Sequence, residues 1–300
     1  MGFIFDINGQ SDLGQESLAH DLSKELDVKL GEMTLRQFPD GEFYVRCFEQ
    51  VENEDCYILC HLHHPNEKAL AIIFLAETLK ELGAKRIHLI APYLAYMRQD
   101  IRFHEGEGIS SRYFAKLLSQ YVDSLITVDP HLHRYNNLGE IYSIPASSLT
   151  AVEPIAQYIK QHINNPVVIG PDGESEQWAK NVALAADCPY EVLTKERFGD
   201  RDVKVSLPHV ENYLNHTPVL VDDIISTGKT MMQAAQHLTD AGLTLPTCIG
   251  VHAVFAEGAA EEMANQKLTV VTCDSIPHAT NEIPLASLLA NGIRELIKSF

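Results

Sequence analysis

Short runs of β-branched and aliphatic residues alternate along this chain with longer stretches whose apolar positions recur every three to four residues. The runs 55–62 (DCYILCHL), 86–93 (RIHLIAPY) and 124–131 (SLITVDPH) read as strands, separated by helical patterns over 69–84 and 110–122. The first of these helices stops at Gly83, a residue suited to the backbone that closes a helix. The rhythm resumes with helix 151–163, strand 166–172, helix 175–187, strands 190–196 and 217–223, helix 230–242 and strand 247–255. Strands that alternate with helices predict α/β units on a mostly parallel sheet.

A looser repeat overlies this pattern. One apolar strand ends in Val128-Asp129 and another in Val221-Asp222. Two similar α/β domains, each a mostly parallel sheet flanked by helices, account for it. Their boundary is expected between Pro145 and Thr150, with an N-terminal domain over 1–146 and a C-terminal domain over 147–300. A chain of 300 residues is long enough for two cores. In open α/β sheets ligands collect at the carboxyl ends of strands, and the unusual polar residues of this chain fall there.

Composition narrows the partners. The chain is 45% hydrophobic and 21% charged, as a globular protein is. Its formal net charge of -18, with no basic block, repels nucleic-acid backbones and anionic lipid, so no nucleic acid and no membrane is expected as a partner. The same acidity also serves plain solubility. Bound phosphates must then be held locally, by loops, metal ions and a few cations. No run of about 18 apolar residues occurs, and the opening MGFIFDINGQ lacks the basic and apolar regions of a secretory signal. The six cysteines include no CxxC pair, and several sit in apolar runs, which predicts reduced, buried thiols and a cytoplasmic location.

The most informative segment runs from Pro218 to Thr230 (PVLVDDIISTGKT) and leads into a helix. The strand brings Asp222 and Asp223 to its end. Ser226, Thr227, Gly228, Lys229 and Thr230 then precede the helix, where successive amide N–H groups and the positive end of the helix dipole suit a phosphate. A P-loop would need glycine five positions before Gly228; Asp223 stands there and excludes it. Two carboxylates beside a one-phosphate loop suit a sugar phosphate, with the acids accepting hydrogen bonds from ribose hydroxyls. The plain alternative is a strand-to-helix turn with an acidic N-cap.

This segment resembles the phosphoribosyl diphosphate motif of type I phosphoribosyltransferases, a class that includes enzymes consuming phosphoribosyl diphosphate and the synthetase that makes it. Four further segments resemble the synthetase, the ribose-phosphate diphosphokinase family. Phe38-Pro-Asp-Gly-Glu-Phe-Tyr-Val45 is similar to a family loop whose Phe38, Asp40, Gly41 and Glu42 positions hold the adenine nucleotide, although Pro-Asp-Gly also makes an ordinary β-turn. Ala91 to Asp100 (APYLAYMRQD) resembles a second nucleotide segment with Arg98, Gln99 and Asp100, where the planar fork of Arg98 would grip two phosphate oxygens. Asp129-Pro-His131 resembles a strand-end motif whose histidine binds magnesium. Asp172 in Gly170-Pro-Asp-Gly173 resembles a metal- and ribose-binding acid, and Lys195 with Arg197 resembles the cation pair of a catalytic loop that closes over the site, here through Phe198–Lys204.

The resemblance covers nearly the whole chain, in order, and looks closest to the shorter, archaeal-like branch. It implies two phosphoribosyltransferase-type domains, ATP and ribose 5-phosphate as substrates, magnesium or manganese as cofactor, and assembly with further copies of the chain, since nucleotide sites of the family are shared between neighbours. Ser226 and Lys229 depart from the bacterial pattern of Asp and a small residue, and Gly173-Glu174-Ser175 departs from the usual Gly-Gly pair. A nucleobase phosphoribosyltransferase would explain the Asp223 loop but not the Arg98 and His131 segments. A non-catalytic regulatory homologue should have lost the cations and the nucleotide loop, which remain here. Cys60-His-Leu-His-His64 fits no familiar zinc spacing, and His63 and His64 read as strand-end residues near the nucleotide site.

Overall fold

A computed structural model describes residues 2–8, 17–173, 175–198, 202–206, 210–298 and 300. The chain forms two compact units: one of Met1–Leu149, Ser275–Pro277 and Leu285–Phe300, the other of Thr150–Asp274 and His278–Pro284.

In the first unit the elements follow as β1 (Gly2–Asp6), α1 (Leu18–Leu26), β2 (Lys29–Leu30), β3 (Met33–Gln37), β4 (Phe43–Cys47), β5 (Asp55–Leu59), α2 (Pro65–Glu81), β6 (Arg86–Ala91), α3 (Ser110–Leu118), β7 (Ser124–Val128) and β8 (Ala146–Leu149). Six strands make a parallel sheet in the order β2-β1-β5-β6-β7-β8. Its central strands are buried along most of their length, as a sheet covered on both faces requires. Helix α3 shows why the apolar period is helical: Ser111, Phe114, Ala115 and Leu118 form one buried stripe. Strands β3 and β4 form a separate antiparallel hairpin.

The second unit runs α4 (Val152–His162), β9 (Pro166–Gly170), α5 (Glu176–Ala186), β10 (Tyr190–Val192), β11 (Thr194–Phe198), β12 (Asp202–Ser206), β13 (Thr217–Ile225), α6 (Lys229–Asp240), β14 (Thr247–Ala253), α7 (Ala259–Asn265), β15 (Thr269–Cys273) and β16 (Asn281–Ile283). Its sheet is also parallel, in the order β10-β9-β13-β14-β15-β16, with β11 and β12 as a separate antiparallel pair.

Three differences from the sequence pattern have physical causes. The run expected as one strand over 190–196 breaks at Leu193, whose amide donates to the Gly170 carbonyl at 3.0 Å and whose side chain is buried. Strand β13 continues past Asp223 because Ile224 and Ile225 still pair with His252 and Ala253 of β14. The last helix, α8 (Ala286–Ile297), belongs to the first unit although it lies in the C-terminal half of the chain. It buries Leu289, Ala290 and Ile293, and a Cβ added to Gly292 would lie 2.7 Å from side-chain carbons of Ile126 and Leu149, so only glycine permits that approach.

Candidate active site

In the second unit the chain direction across the sheet reverses between β9 and β13. The crevice outside the carboxyl ends of those two strands is where an open parallel sheet binds ligands. Asp172 follows β9 there and is half-buried; its Oδ1 accepts from the Ser175 amide at 3.2 Å, and Ser175 Oγ donates to the Asp172 carbonyl at 2.7 Å. Asp222 and Asp223 lie side by side on β13, with the Asp223 amide donating to Asp222 Oδ1 at 2.9 Å. Burial, reinforced by Asp223 and more weakly by Asp172, holds the Asp222 carboxyl well above the usual carboxylate range. Asp223 and Asp172 thus act electrostatically on Asp222 and favour its protonated form.

The turn after β13 is short. Ser226 is half-buried, Thr227 exposed and Gly228 buried, and α6 begins at Lys229. Lys229 and Thr230 thus occupy the first turn of the helix, both exposed. Gly228 is the N-cap at φ 69°, and no side chain caps the helix. Its amide donors are left for another acceptor, apart from the Lys229 N–H, which leans toward Thr227 Oγ1 at 3.4 Å. A cavity of about 660 Å³ opens nearby, lined by Asp172, Gly173, Glu176, Tyr190, Glu191, Val192 and Leu193. Lys195 and Arg197 lie on β11, opposite Val205 and Val203 of β12. Of the expected closing loop, residues 199–201 lie outside the described residues, as does Glu174.

In the first unit, Phe38, Asp40, Gly41 and Glu42 form the exposed turn of the β3–β4 hairpin. The Phe38 amide donates to the Glu42 carbonyl at 2.7 Å, and Gly41 takes φ 94°. The Arg36 guanidinium lies 4.6 Å from the ring centres of both Phe38 and Tyr44. Arg98, exposed, and Gln99, half-buried, follow β6, whereas Asp100 is buried with its carboxylate on Arg134. His131 follows β7, its ring 3.9 Å from that of His133. Tyr96 and Asp129 take left-handed backbone, φ 63° and φ 34°, each two residues before a candidate nucleotide or metal residue. Sequence reasoning passed over Glu107 and Arg134. Glu107 Oε2 accepts from the Phe103 and His104 amides at 2.8 and 3.0 Å, tying down the segment after Asp100. Arg134 is revealed only by its contact with Asp100, 34 residues away, and Glu107 only by the local turn its carboxylate closes.

The Cys60–His64 stretch joins β5 to α2. His61 is buried with Nδ1 2.6 Å from the Ser275 carbonyl, and burial pushes His61 and His63 down to about 4. Both rings are therefore neutral at ordinary pH.

The family model described as the N-terminal domain of ribose phosphate pyrophosphokinase matches residues 8–121, and the phosphoribosyl transferase domain model matches residues 137–287. The ribose-phosphate pyrophosphokinase of Sulfolobus acidocaldarius is 33% identical, over 92% of this chain and 95% of its own. That of Methanopyrus kandleri is 32% identical, over 93% and 96%. The crystal structure of phosphoribosylpyrophosphate synthetase from Mycobacterium smegmatis superposes with a TM-score of 0.82 at 27% identity, covering 100% of this chain and 99% of that one. With both domain models matched in order and relatives aligned along nearly their full length, this chain belongs to the ribose-phosphate pyrophosphokinase family.

Proposed function

We propose that this chain transfers the diphosphate of ATP to the 1-hydroxyl of ribose 5-phosphate, forming phosphoribosyl diphosphate and releasing AMP. The observation that carries this reading is the β13–α6 turn, where paired carboxylates precede an uncapped helix start, in a chain that also matches the N-terminal domain of ribose phosphate pyrophosphokinase over residues 8–121. Ribose 5-phosphate rests with its phosphate on Ser226, Thr227, Gly228, Lys229 and Thr230, and its hydroxyls donate to Asp222 and Asp223. The nucleotide falls to the first unit: Phe38, Asp40, Gly41 and Glu42 meet the base and ribose, and Arg98 and Gln99 meet the phosphates, with Asp100 shaping the same segment. Oxygen O1 of the sugar attacks the β-phosphorus, the bond from that phosphorus to the α-phosphate oxygen breaks, and the hydroxyl proton passes to water. Such a transfer depends mainly on positioning and on charge stabilisation, which Lys195 and Arg197 supply.

Magnesium, or manganese in its place, belongs to the same reading. Asp172 offers the hard oxygen donor that magnesium prefers, and His131 a nitrogen donor. Among the described residues no three His, Cys, Asp or Glu side chains gather into a metal cage. Magnesium is commonly held by one or two carboxylates together with substrate phosphates. When bound, the ion neutralises phosphate charge. Self-association is supported by the exposed Phe38 turn, which projects on a hairpin separate from the sheet. No described helix is long and apolar enough to cross a membrane. Location in a reducing cytoplasm is supported by six unbridged thiols, four of them buried.

The test is incubation with ATP, ribose 5-phosphate and magnesium. AMP and phosphoribosyl diphosphate should appear together, and chelator should abolish both. A chain that instead consumes phosphoribosyl diphosphate with a free nucleobase, and releases no AMP, would be a phosphoribosyltransferase.

A further inference from the structure

We propose that Arg134 is a positioning residue for the nucleotide: through Asp100 it locks the Arg98 segment and the His131 loop into one arrangement. The inference rests on the reading above, that Arg98 and Gln99 meet ATP.

The geometry is a double grip by consecutive residues. Arg134 Nη1 donates to Asp100 Oδ1 at 2.9 Å and to Oδ2 at 3.2 Å. The next residue, Tyr135, donates its hydroxyl to the Asp100 backbone carbonyl at 3.2 Å and accepts from Arg112 Nε at 3.2 Å. Asp100 is thus held by side chain and by main chain from the same loop. Its side chain is 2% exposed, while that of Arg134 is 46% exposed. A carboxylate so buried is costly to leave without a paired cation. Arg134, half in solvent, is that cation, and its stem also brings it 5.6 Å from the Phe103 ring centre.

The consequence reaches the site because the sequence separations are short. Asp100 stands two residues after Arg98, and Arg134 three residues after His131. Displacement of Asp100 by an ångström moves Arg98 by a comparable amount, since two trans peptide units span only about 7 Å. Tyr96 and Asp129 start these two segments in left-handed backbone, a conformation that persists only where surrounding contacts hold it. The Asp100–Arg134 pair is one such contact, and it ties both segments together.

The experiment compares the full-length protein with Arg134→Gln, Arg134→Lys, Asp100→Asn, the Arg134→Gln/Asp100→Asn double variant and Arg98→Ala, all checked for folding by thermal melting. Arg134→Gln should raise KM for ATP about tenfold and leave KM for ribose 5-phosphate within about twofold. Arg134→Lys should recover part of the loss. The double variant should be no worse than Arg134→Gln alone, because both changes break one link. An unchanged ATP constant in Arg134→Gln overturns the proposal. So do additive losses, which would mean that Arg134 touches ATP directly. Should Arg134→Gln fail to fold, Arg134→Lys and Asp100→Asn carry the same comparison. Calorimetric titration with ATP and magnesium reads the clamp without turnover. A chain that binds ATP but yields no AMP fails the proposed reaction alone, whereas normal ATP binding by Arg98→Ala overturns the nucleotide assignment on which the clamp depends.

Discussion

A Cβ built on Gly228 lies 2.7 Å from the sulfur of Met263, and Gly228 itself takes φ 69° at the N-cap of α6. Two independent penalties therefore meet any larger residue there. Left-handed backbone costs an L-residue about 1–2 kcal/mol, and crowding a packed core adds about 1–3 kcal/mol. Met263 is fully buried, so the contact is not relieved by a swing into solvent. Gly228→Ala should destabilise the protein by about 2 kcal/mol or more, seen in thermal melting, and raise KM for ribose 5-phosphate. Wild-type melting with a wild-type sugar constant would show that the turn tolerates a side chain and that its backbone does not set the phosphate site.

Lys195 lies on β11, in an antiparallel pair separate from the six-stranded sheet. A change on this separate pair leaves the six-stranded sheet intact, so stability should change by less than about 0.5 kcal/mol. If it stabilises developing charge on the transferring group, Lys195→Ala should lose about 3 kcal/mol of barrier stabilisation, a hundredfold or more in kcat. Near-normal turnover with both substrates saturating would remove Lys195 from the chemistry.

Asp222 gives a pH signature of the metal-free protein. Burial, then Asp223, then Asp172 raise its carboxyl from 3.8 to about 8. Between those values the folded chain keeps a proton that the unfolded chain has lost. Stability from this group is complete below about pH 4 and declines as pH rises through about 8. Asp222 is half-buried, so solvent screening reduces the effect to about 1–2 kcal/mol. In chelator, the melting temperature of the wild type should fall from pH 5 to pH 9 more steeply than that of Asp222→Asn, whose amide stays neutral. Parallel curves would assign the titration elsewhere.

Much of the fold is legible because its strands are buried on both faces and its helices carry one apolar stripe. The runs around Ile58, Ile90 and Ile126 are continuous and short, and Phe114, Ala115 and Leu118 repeat with the helical period. The β3–β4 hairpin is less legible, since its strands are only half-buried and carry Arg36 and Arg46 among the apolar residues. The return of α8 to the first unit leaves no local mark, because an apolar stripe does not say which sheet it will cover. The candidate phosphate turn is readable as one contiguous strand–turn–helix segment. Asp100 is different: its ionic partner lies 34 residues away, and proximity in sequence to Arg98 says nothing of burial.

Thr230 tests whether the two substrate assignments lie the right way round. It sits in the first turn of α6, beside the uncapped amides that follow Gly228, with its side chain exposed. The paired carboxylates of Asp222 and Asp223 suit neutral ribose hydroxyls but repel a triphosphate unless a metal intervenes. The turn offers one helix start, enough for one phosphate, and Asp223 stands where a P-loop would have its first glycine. Thr230→Val deletes the hydroxyl donor, keeps the shape of the side chain and changes helix propensity little. A hydrogen bond to a charged phosphate is worth about 1.5 kcal/mol, so KM for ribose 5-phosphate should rise roughly tenfold. The constant for ATP should move less than about twofold, because no contact to the nucleotide is lost. Steady-state kinetics with each substrate varied in turn decides the matter: a raised ATP constant beside an unchanged sugar constant would reverse the two subsites.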